Sequence, residues 1–478
     1  MESLGGMKLN INFWSMHIKR VQEGKIRKDT LRVRLVEEGK DGVIEVRGET
    51  VTLILVIGKR AEMTRRKLQL LARRVVREAM AKKYTEIVCD FKQFHLSHLK
   101  MAPQDLAEML TVNMIMAEFS FQEFLTKPTE GFPRLKTVSF LNAGEKDIRL
   151  GIERGKVIGE EVNQSRHIAT MPGGAMTPDI LARHARATVK GLPVKVTVLN
   201  EQQMEKLGMG GVLGVGKGSE APSRFIIMEY HGGKKNDKPV VLVGKGVTFD
   251  TGGINLKPSD YILGMNMDMS GGAAVIHALA IATRLKLKKN IVVLVPAVEN
   301  MMSGASYRPG DIIRSMSGKT IEVLNTDAEG QINLADALHY AKRYHPALVV
   351  DVATLTGAAM AALGERATAL FTEDEKLELQ LRHFGEESGD HVWPLPLWDE
   401  YDEEIKGTFG DVANLGRTRY GGAITAAVFL KQFVDHAYPW VHLDIAPRMT
   451  TLPDEFLSKG SAGAPVRLLV KVLEQGRM

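Results

Sequence analysis

The stretch Asn325-Thr326-Asp327-Ala328-Glu329-Gly330 sets two carboxylates two positions apart. Read as extended backbone, that spacing aims both side chains to one side. Carboxylates crowded together repel unless a cation lies between them. A helix cap beside a solvated acid would give the same letters. A second charged set lies upstream, however: Lys245, Asp250, Lys257 and Asp268, in a segment whose glycines at 244, 246, 252 and 253 let the backbone turn tightly and approach a ligand. The four carboxylates Asp250, Asp268, Asp327 and Glu329 suffice to hold two divalent cations about 3.5–4 Å apart. No histidine lies in either segment. Oxygen-rich sites suit magnesium or manganese, and zinc accepts oxygen too, though more often with histidine or cysteine. By residue type alone, Lys245 reads as a salt-bridge partner of Asp250, and Lys257 as a surface lysine before Pro258.

The elements that must bring these segments together follow a strand–helix alternation. Val194 to Leu199, Arg224 to Glu229, Val240 to Val243, Ile291 to Val295, Ala347 to Val352 and Trp440 to Ile445 are short apolar runs. They alternate with helix-like segments such as Ala273 to Leu285 and Ile332 to Tyr344. This pattern predicts a mostly parallel sheet covered on both faces, and such sheets place ligands at the carboxyl ends of their strands. Asp250 follows one apolar run, and Asp327 follows the strand-like Thr320 to Leu324. Residues 1–150 form a separate α/β unit by the same reading. Leu31 to Leu35, Val51 to Ile57, Glu86 to Phe91 and Lys136 to Leu141 read as strands, and Gln104 to about Glu118 as a helix. Residues 151–170 read as a connecting helix and 171–478 as the larger, catalytic unit.

A chain of 478 residues with a formal charge of +6 suits two or three domains. Its single cysteine, Cys89, excludes internal disulfides and cysteine-rich zinc sites and fits a reducing, cytoplasmic setting. The first residues show no signal-peptide pattern, and no apolar run is long enough to span a membrane. Much of the positive excess lies between Lys59 and Lys83, where Leu68, Leu71, Val75 and Ala79 keep helical spacing. That predicts an amphipathic helix with a solvated basic face. DNA binding through it is the sharper alternative, unsupported by any nucleic-acid motif. The glycine-rich run Gly211 to Gly218 nearly matches a phosphate loop, but Gly218 stands where magnesium would need a serine or threonine.

Taken together, Asn325 to Gly330 with Leu334-Ala335-Asp336-Ala337-Leu338 resembles the signature of the leucyl aminopeptidase family, the cytosolic two-metal aminopeptidases. Val243 to Pro258, Met267 to Ala274, Asp351 to Ala358, Gly421 to Phe429 and Trp440 to Ala446 resemble further family motifs in the same order. The resemblance runs from about residue 160 to the C-terminus. The N-terminal part is similar to the family's macro-like domain only in size and α/β pattern. The resemblance implies a homohexamer that removes N-terminal residues, often leucine, from peptides. It implies one metal, manganese or zinc, on Lys245, Asp250, Asp268 and Glu329, and another on Asp250, Asp327 and Glu329. It makes Lys257 the stabiliser of the tetrahedral oxyanion. It places Met265, Thr354, Gly357, Ala446 and Met449 around the pocket for the first side chain.

One position departs from the family pattern. Gln331 stands where the pattern has an arginine, thought to hold a bicarbonate ion that takes a proton from the attacking water. Glutamine carries neither the charge nor the guanidinium fork. General-base help is worth roughly 10²–10⁴-fold, so Gln331 predicts weakened bicarbonate binding and a slower enzyme. Two other classes compete: a catalytically weak relative acting as a binding protein, and a metal-dependent phosphoryl-transfer enzyme, which lacks a phosphate loop.

Overall fold

A computed structural model describes residues 16–27, 30–126 and 134–476. The chain divides into two compact units, one comprising Asn12–Asn163 with Thr451–Gly460, the other Gln164–Thr450 with Ser461–Met478.

The first unit is built on a six-stranded sheet. Its strands are β1 (His17–Arg20), β2 (Leu31–Val36), β3 (Val43–Arg47), β4 (Thr50–Val56), β5 (Glu86–Asp90) and β6 (Thr137–Leu141). They lie in the order β1-β6-β5-β2-β4-β3, parallel except for the β3–β4 hairpin. The helices Arg65–Ala81 and Pro103–Glu118 pack on it. Leu68, Leu71, Val75 and Ala79 are buried as their spacing requires. The expectation of a solvated basic face holds only in part: Lys59, Arg66, Lys67 and Lys83 are exposed, but Arg73 and Arg74 are not. Arg73 is buried and donates to Asn113 Oδ1 (2.8 Å) and to the Glu455 carbonyl. Arg74 pairs with Asp41 and donates to the Val56 carbonyl. These guanidiniums are spent inside their own unit, because the helix is covered on more than its apolar stripe.

The second unit is organised by a nine-stranded sheet. Its strands are β7 (Val194–Leu199), β8 (Arg224–His231), β9 (Val240–Gly244), β10 (Gly246–Asp250), β11 (Asn290–Asn300), β14 (Leu348–Ala353), β15 (Thr368–Phe371), β16 (Val392–Pro394) and β18 (Trp440–Asp444). The order is β16-β15-β18-β14-β9-β11-β8-β7, with β10 pairing onto the end of β11. The central strands β18, β14, β9 and β11 are mutually parallel, as is β10 on β11. β9 and β14 are buried throughout, as parallel strands covered on both faces must be. The helices Ser270–Arg284 and Glu329–Ala341 pack against these strands. A small separate sheet joins β12 (Ile312–Arg314), β13 (Thr320–Glu322) and β17 (Val412–Ala413). The α/β class with a mostly parallel central sheet is therefore as the sequence predicts.

The near-match to a phosphate loop is explained by packing. Gly210–Gly216 is a helix laid against Glu329–Ala341. A Cβ on Gly211 would stand 2.3 Å from the Ile332 carbonyl oxygen, so this glycine permits close helix approach. No helix among the described residues is long and apolar enough to cross a membrane.

Candidate metal centre

The charged residues converge where the parallel strands end. Lys245 directly follows β9, Asp250 closes β10, Asn300 closes β11 and Thr354 directly follows β14. Asp268 sits in a 3₁₀ turn, Met265–Met269, which leads into the buried helix from Ser270. Asp327 and Glu329 come from the turn and first helical residue after β13. Two expectations change here. β13 lies in the small sheet, not the central one. Asp327 and Glu329 converge because a turn runs into a helix, not through extended backbone. The Asn325 side chain makes that turn by accepting from Asp327 N at 2.7 Å.

The cluster is nearly dry: Lys245, Asp250, Asp268 and Glu329 are all buried, with Lys257 and Asp327 half-buried. Lys245 Nζ lies 2.9 Å from Asp268 Oδ1, 2.7 Å from Glu329 Oε1 and 2.9 Å from the Thr354 carbonyl oxygen. Lys257 Nζ lies 2.8 Å from Asp250 Oδ2 and 2.5 Å from Asp327 Oδ1. Oxygens of Asp250, Asp327 and Glu329 lie within 4.8 Å of one another. Lys245 reaches this centre because position 330 is glycine. A Cβ there would sit 2.8 Å from Lys245 Cε and 2.9 Å from its Nζ.

The electrostatics call for more positive charge. Four carboxylates face two ammoniums, an excess of two negative charges in a low-dielectric setting. Burial pushes the Glu329 carboxyl well above the usual range, and Asp250 and Asp268 push it further. Burial raises Asp268 as well, against the pull of Lys245. Burial disfavours the Lys245 ammonium, yet Asp268, Glu329 and Asp250 outweigh it and hold the pKa above the ordinary lysine value. Asp268 Oδ2 is buried with no hydrogen-bond partner among the described residues. An orphaned carboxylate oxygen on Asp268, joined through Lys245 to Glu329, together with the Asp250, Asp327 and Glu329 oxygens at ligand spacing, fits divalent cations.

A neutral shell that the sequence analysis missed holds the ligands. Asn300 Nδ2 donates to Asp250 Oδ1 (2.8 Å) and to the Thr326 carbonyl (2.9 Å). Thr326 Oγ1 donates to the Gly252 carbonyl, and Asn255 Oδ1 accepts from Thr326 N. Asn414 accepts from Leu324 N and donates to the Asn325 carbonyl, each at 2.7 Å. The Thr354 side chain is buried and donates to Asp268 Oδ1 at 2.6 Å, so it faces the ion cluster. Met265, Ala446 and Met449 are half-buried and Gly357 is exposed. Gln331 is buried and donates to the Asn414 carbonyl at 2.7 Å.

Fold and site together define a metal-dependent hydrolase: carboxylates and lysines at the carboxyl edge of a parallel sheet, with negative charge in excess. The comparisons narrow the class. The profile of the cytosol aminopeptidase family, catalytic domain, matches residues 163–470, and this chain belongs to that family. It is 45% identical over 373 residues to a probable cytosol aminopeptidase of Syntrophotalea carbinolica, covering 77% of this chain and 75% of that protein. Among solved structures, the bottromycin maturation enzyme BotP in complex with Mn superposes with a TM-score of 0.84 at 30% identity, covering 94% of this chain and 99% of that one. A mutant of tomato leucine aminopeptidase superposes with a TM-score of 0.84 at 27% identity, covering 97% and 96%. The protein is thus a metal-dependent aminopeptidase, a hydrolase acting on peptides, and a role as a binding protein without catalysis is not favoured.

Proposed function

We propose that this aminopeptidase removes leucine and other apolar residues from peptide N-termini, with two divalent cations per subunit, manganese or zinc. Lys245, Asp250, Asp268 and Glu329 would hold one cation, and Asp250, Asp327 and Glu329 the other. When bound, the cations supply a water of lowered pKa and polarise the scissile carbonyl. The observation that carries this reading is the convergence of Asp250, Asp327 and Glu329 oxygens within 4.8 Å beside the orphaned Asp268 Oδ2.

The chain's own residues then have distinct tasks. Lys245 would offer a lone pair to a cation only in its neutral form, which nearby cations favour over the ammonium. Lys257 stays charged and donates to the oxyanion as the tetrahedral centre forms. Met265, Met449, Ala446 and Gly357 would receive the first side chain, and two methionines would make such a pocket apolar and adaptable. Thr354 would act on Asp268, to whose Oδ1 its hydroxyl donates. Gln331, uncharged, would hold bicarbonate only weakly. Family membership supports a cytoplasmic homohexamer.

Hydrolysis of leucine amide by purified protein tests the reading. Activity should vanish on chelation and return with manganese or zinc. Protein that binds neither metal overturns it.

A further inference from the structure

We infer that Asn300 is a positioning residue that fixes the distance between the two carboxylate-bearing loops and so sets the affinity of the metal centre; the inference rests on the two-cation reading above.

Asn300 is the last residue of β11 and pairs in register with Asp250 at the end of β10. Its carbonyl accepts from Thr251 N (3.0 Å) and Thr251 Oγ1 (2.9 Å), which pins the chain just after Asp250. Its side chain does something different. One amide nitrogen donates both to Asp250 Oδ1 and to the Thr326 carbonyl, the peptide that precedes Asp327. A single fully buried group therefore spans from one ligand's carboxylate to the backbone of the next.

The orientation of that amide is dictated by chemistry. Swapping its oxygen and nitrogen would set the oxygen against two acceptors, Asp250 Oδ1 and the Thr326 carbonyl. As oriented, Oδ1 has no hydrogen-bond partner among the described residues and lies beside Gly253. A Cβ on Gly253 would stand 2.9 Å from it and 2.9 Å from Thr326 Oγ1, and Gly253 has φ +64°. The space is shaped for this one side chain.

The neutrality of the amide matters. Asp250 Oδ1 accepts from Asn300 Nδ2 and Gly252 N, each at 2.8 Å. Neither of these donors carries a charge, so Oδ1 is oriented by neutral groups alone, and the Lys257 ammonium lies on the other oxygen, Oδ2. Two-cation sites work at a separation of about 3.5–4 Å, and Asp250 and Asp327 must keep a matching distance. Outer-shell partners of metal ligands typically govern 10–100-fold in affinity.

The test is manganese titration of metal-stripped protein, followed by kinetics at saturating manganese. Asn300→Ala should weaken manganese binding roughly 10–100-fold, while kcat at saturating metal returns to within about threefold of the parent, because the ions re-impose the ligand geometry. Parent-like affinity in a folded Asn300→Ala protein overturns the inference, as does a kcat loss that excess metal leaves untouched. If Asn300→Ala does not fold, Asn300→Ser is titrated in its place. Its hydroxyl donates but cannot span both acceptors, so weakened binding supports the inference and parent affinity overturns it. A parent protein that binds neither manganese nor zinc would instead defeat the two-cation reading.

Discussion

The Thr354 hydroxyl donates to Asp268 Oδ1 at 2.6 Å, and the same residue's carbonyl accepts from Lys245 Nζ at 2.9 Å. One residue after β14 thus orients two of the proposed ligands and leaves Asp268 Oδ2 without a partner among the described residues. Thr354→Val keeps the shape and removes the donor. Manganese affinity should fall roughly 10–100-fold, measured by titration of metal-free protein. The ranking of leucine, methionine and alanine amides should not change. A changed ranking at unchanged affinity would return Thr354 to the substrate pocket.

Lys257 bridges Asp250 and Asp327 with a single ammonium. Burial works against that charge, but Asp250, Glu329 and Asp327 prevail and raise its pKa. It therefore stays protonated across the working pH range and is available as an oxyanion donor. Lys257→Met should lower kcat by roughly 10²–10³ and leave manganese affinity within a few-fold of the parent. Loss of metal binding in this variant would show that Lys257 maintains the centre instead of assisting the reaction.

Gln331 ties the helix that carries Glu329 to Asn414, the residue that also holds the Asn325 turn. Its amide is occupied and uncharged, so added bicarbonate should leave the parent's rate unchanged. Gln331→Arg restores charge beside the centre, and its initial rate should rise with bicarbonate. Gln331→Ala leaves the Asn414 carbonyl unpaired and should cost about 1–3 kcal/mol in stability, read by denaturant unfolding. A parent rate that climbs with bicarbonate would contradict the role assigned to Gln331.

What the sequence made legible followed from charge and periodicity. Asp250, Asp268, Asp327 and Glu329 stood out because carboxylates in glycine-rich, helix-adjacent segments are chemically conspicuous. The central strands stood out as apolar runs. Lys245 was legible only through family resemblance, since nothing local separates a ligand from a salt bridge. Asn300, Asn255 and Asn414 were missed because a neutral amide has no sequence signature. Its value lies in two acceptors brought together by distant strands. The spacing of Asp327 and Glu329 misled for a related reason. Period-two geometry holds only in a strand, and the helix begins at Glu329. In the basic stretch from Lys59 to Lys83 the exposed Arg66 and Lys67 follow the expected pattern, but Arg73 does not, because it finds Asn113, 40 residues on, as its partner.

A last prediction concerns acid. His184 and His277 are buried with Nε2 atoms 3.2 Å apart. Burial pulls His167 down to about 4, with His277 adding to the effect, and pulls His184 well below its ordinary value. In the unfolded chain these rings titrate near 6.5. Between about pH 6.5 and pH 4 the unfolded state therefore binds more protons than the folded one, and stability falls as pH falls through that window. His167 alone should cost roughly 2 kcal/mol at pH 5 relative to pH 7.5. Denaturant unfolding of metal-free protein at pH 7.5, 6 and 5 measures the slope without interference from protons competing for the metal ligands. His167→Gln cannot take up the proton, so its slope over the same range should be shallower. An unchanged slope would mean that His167 is already charged in the folded protein.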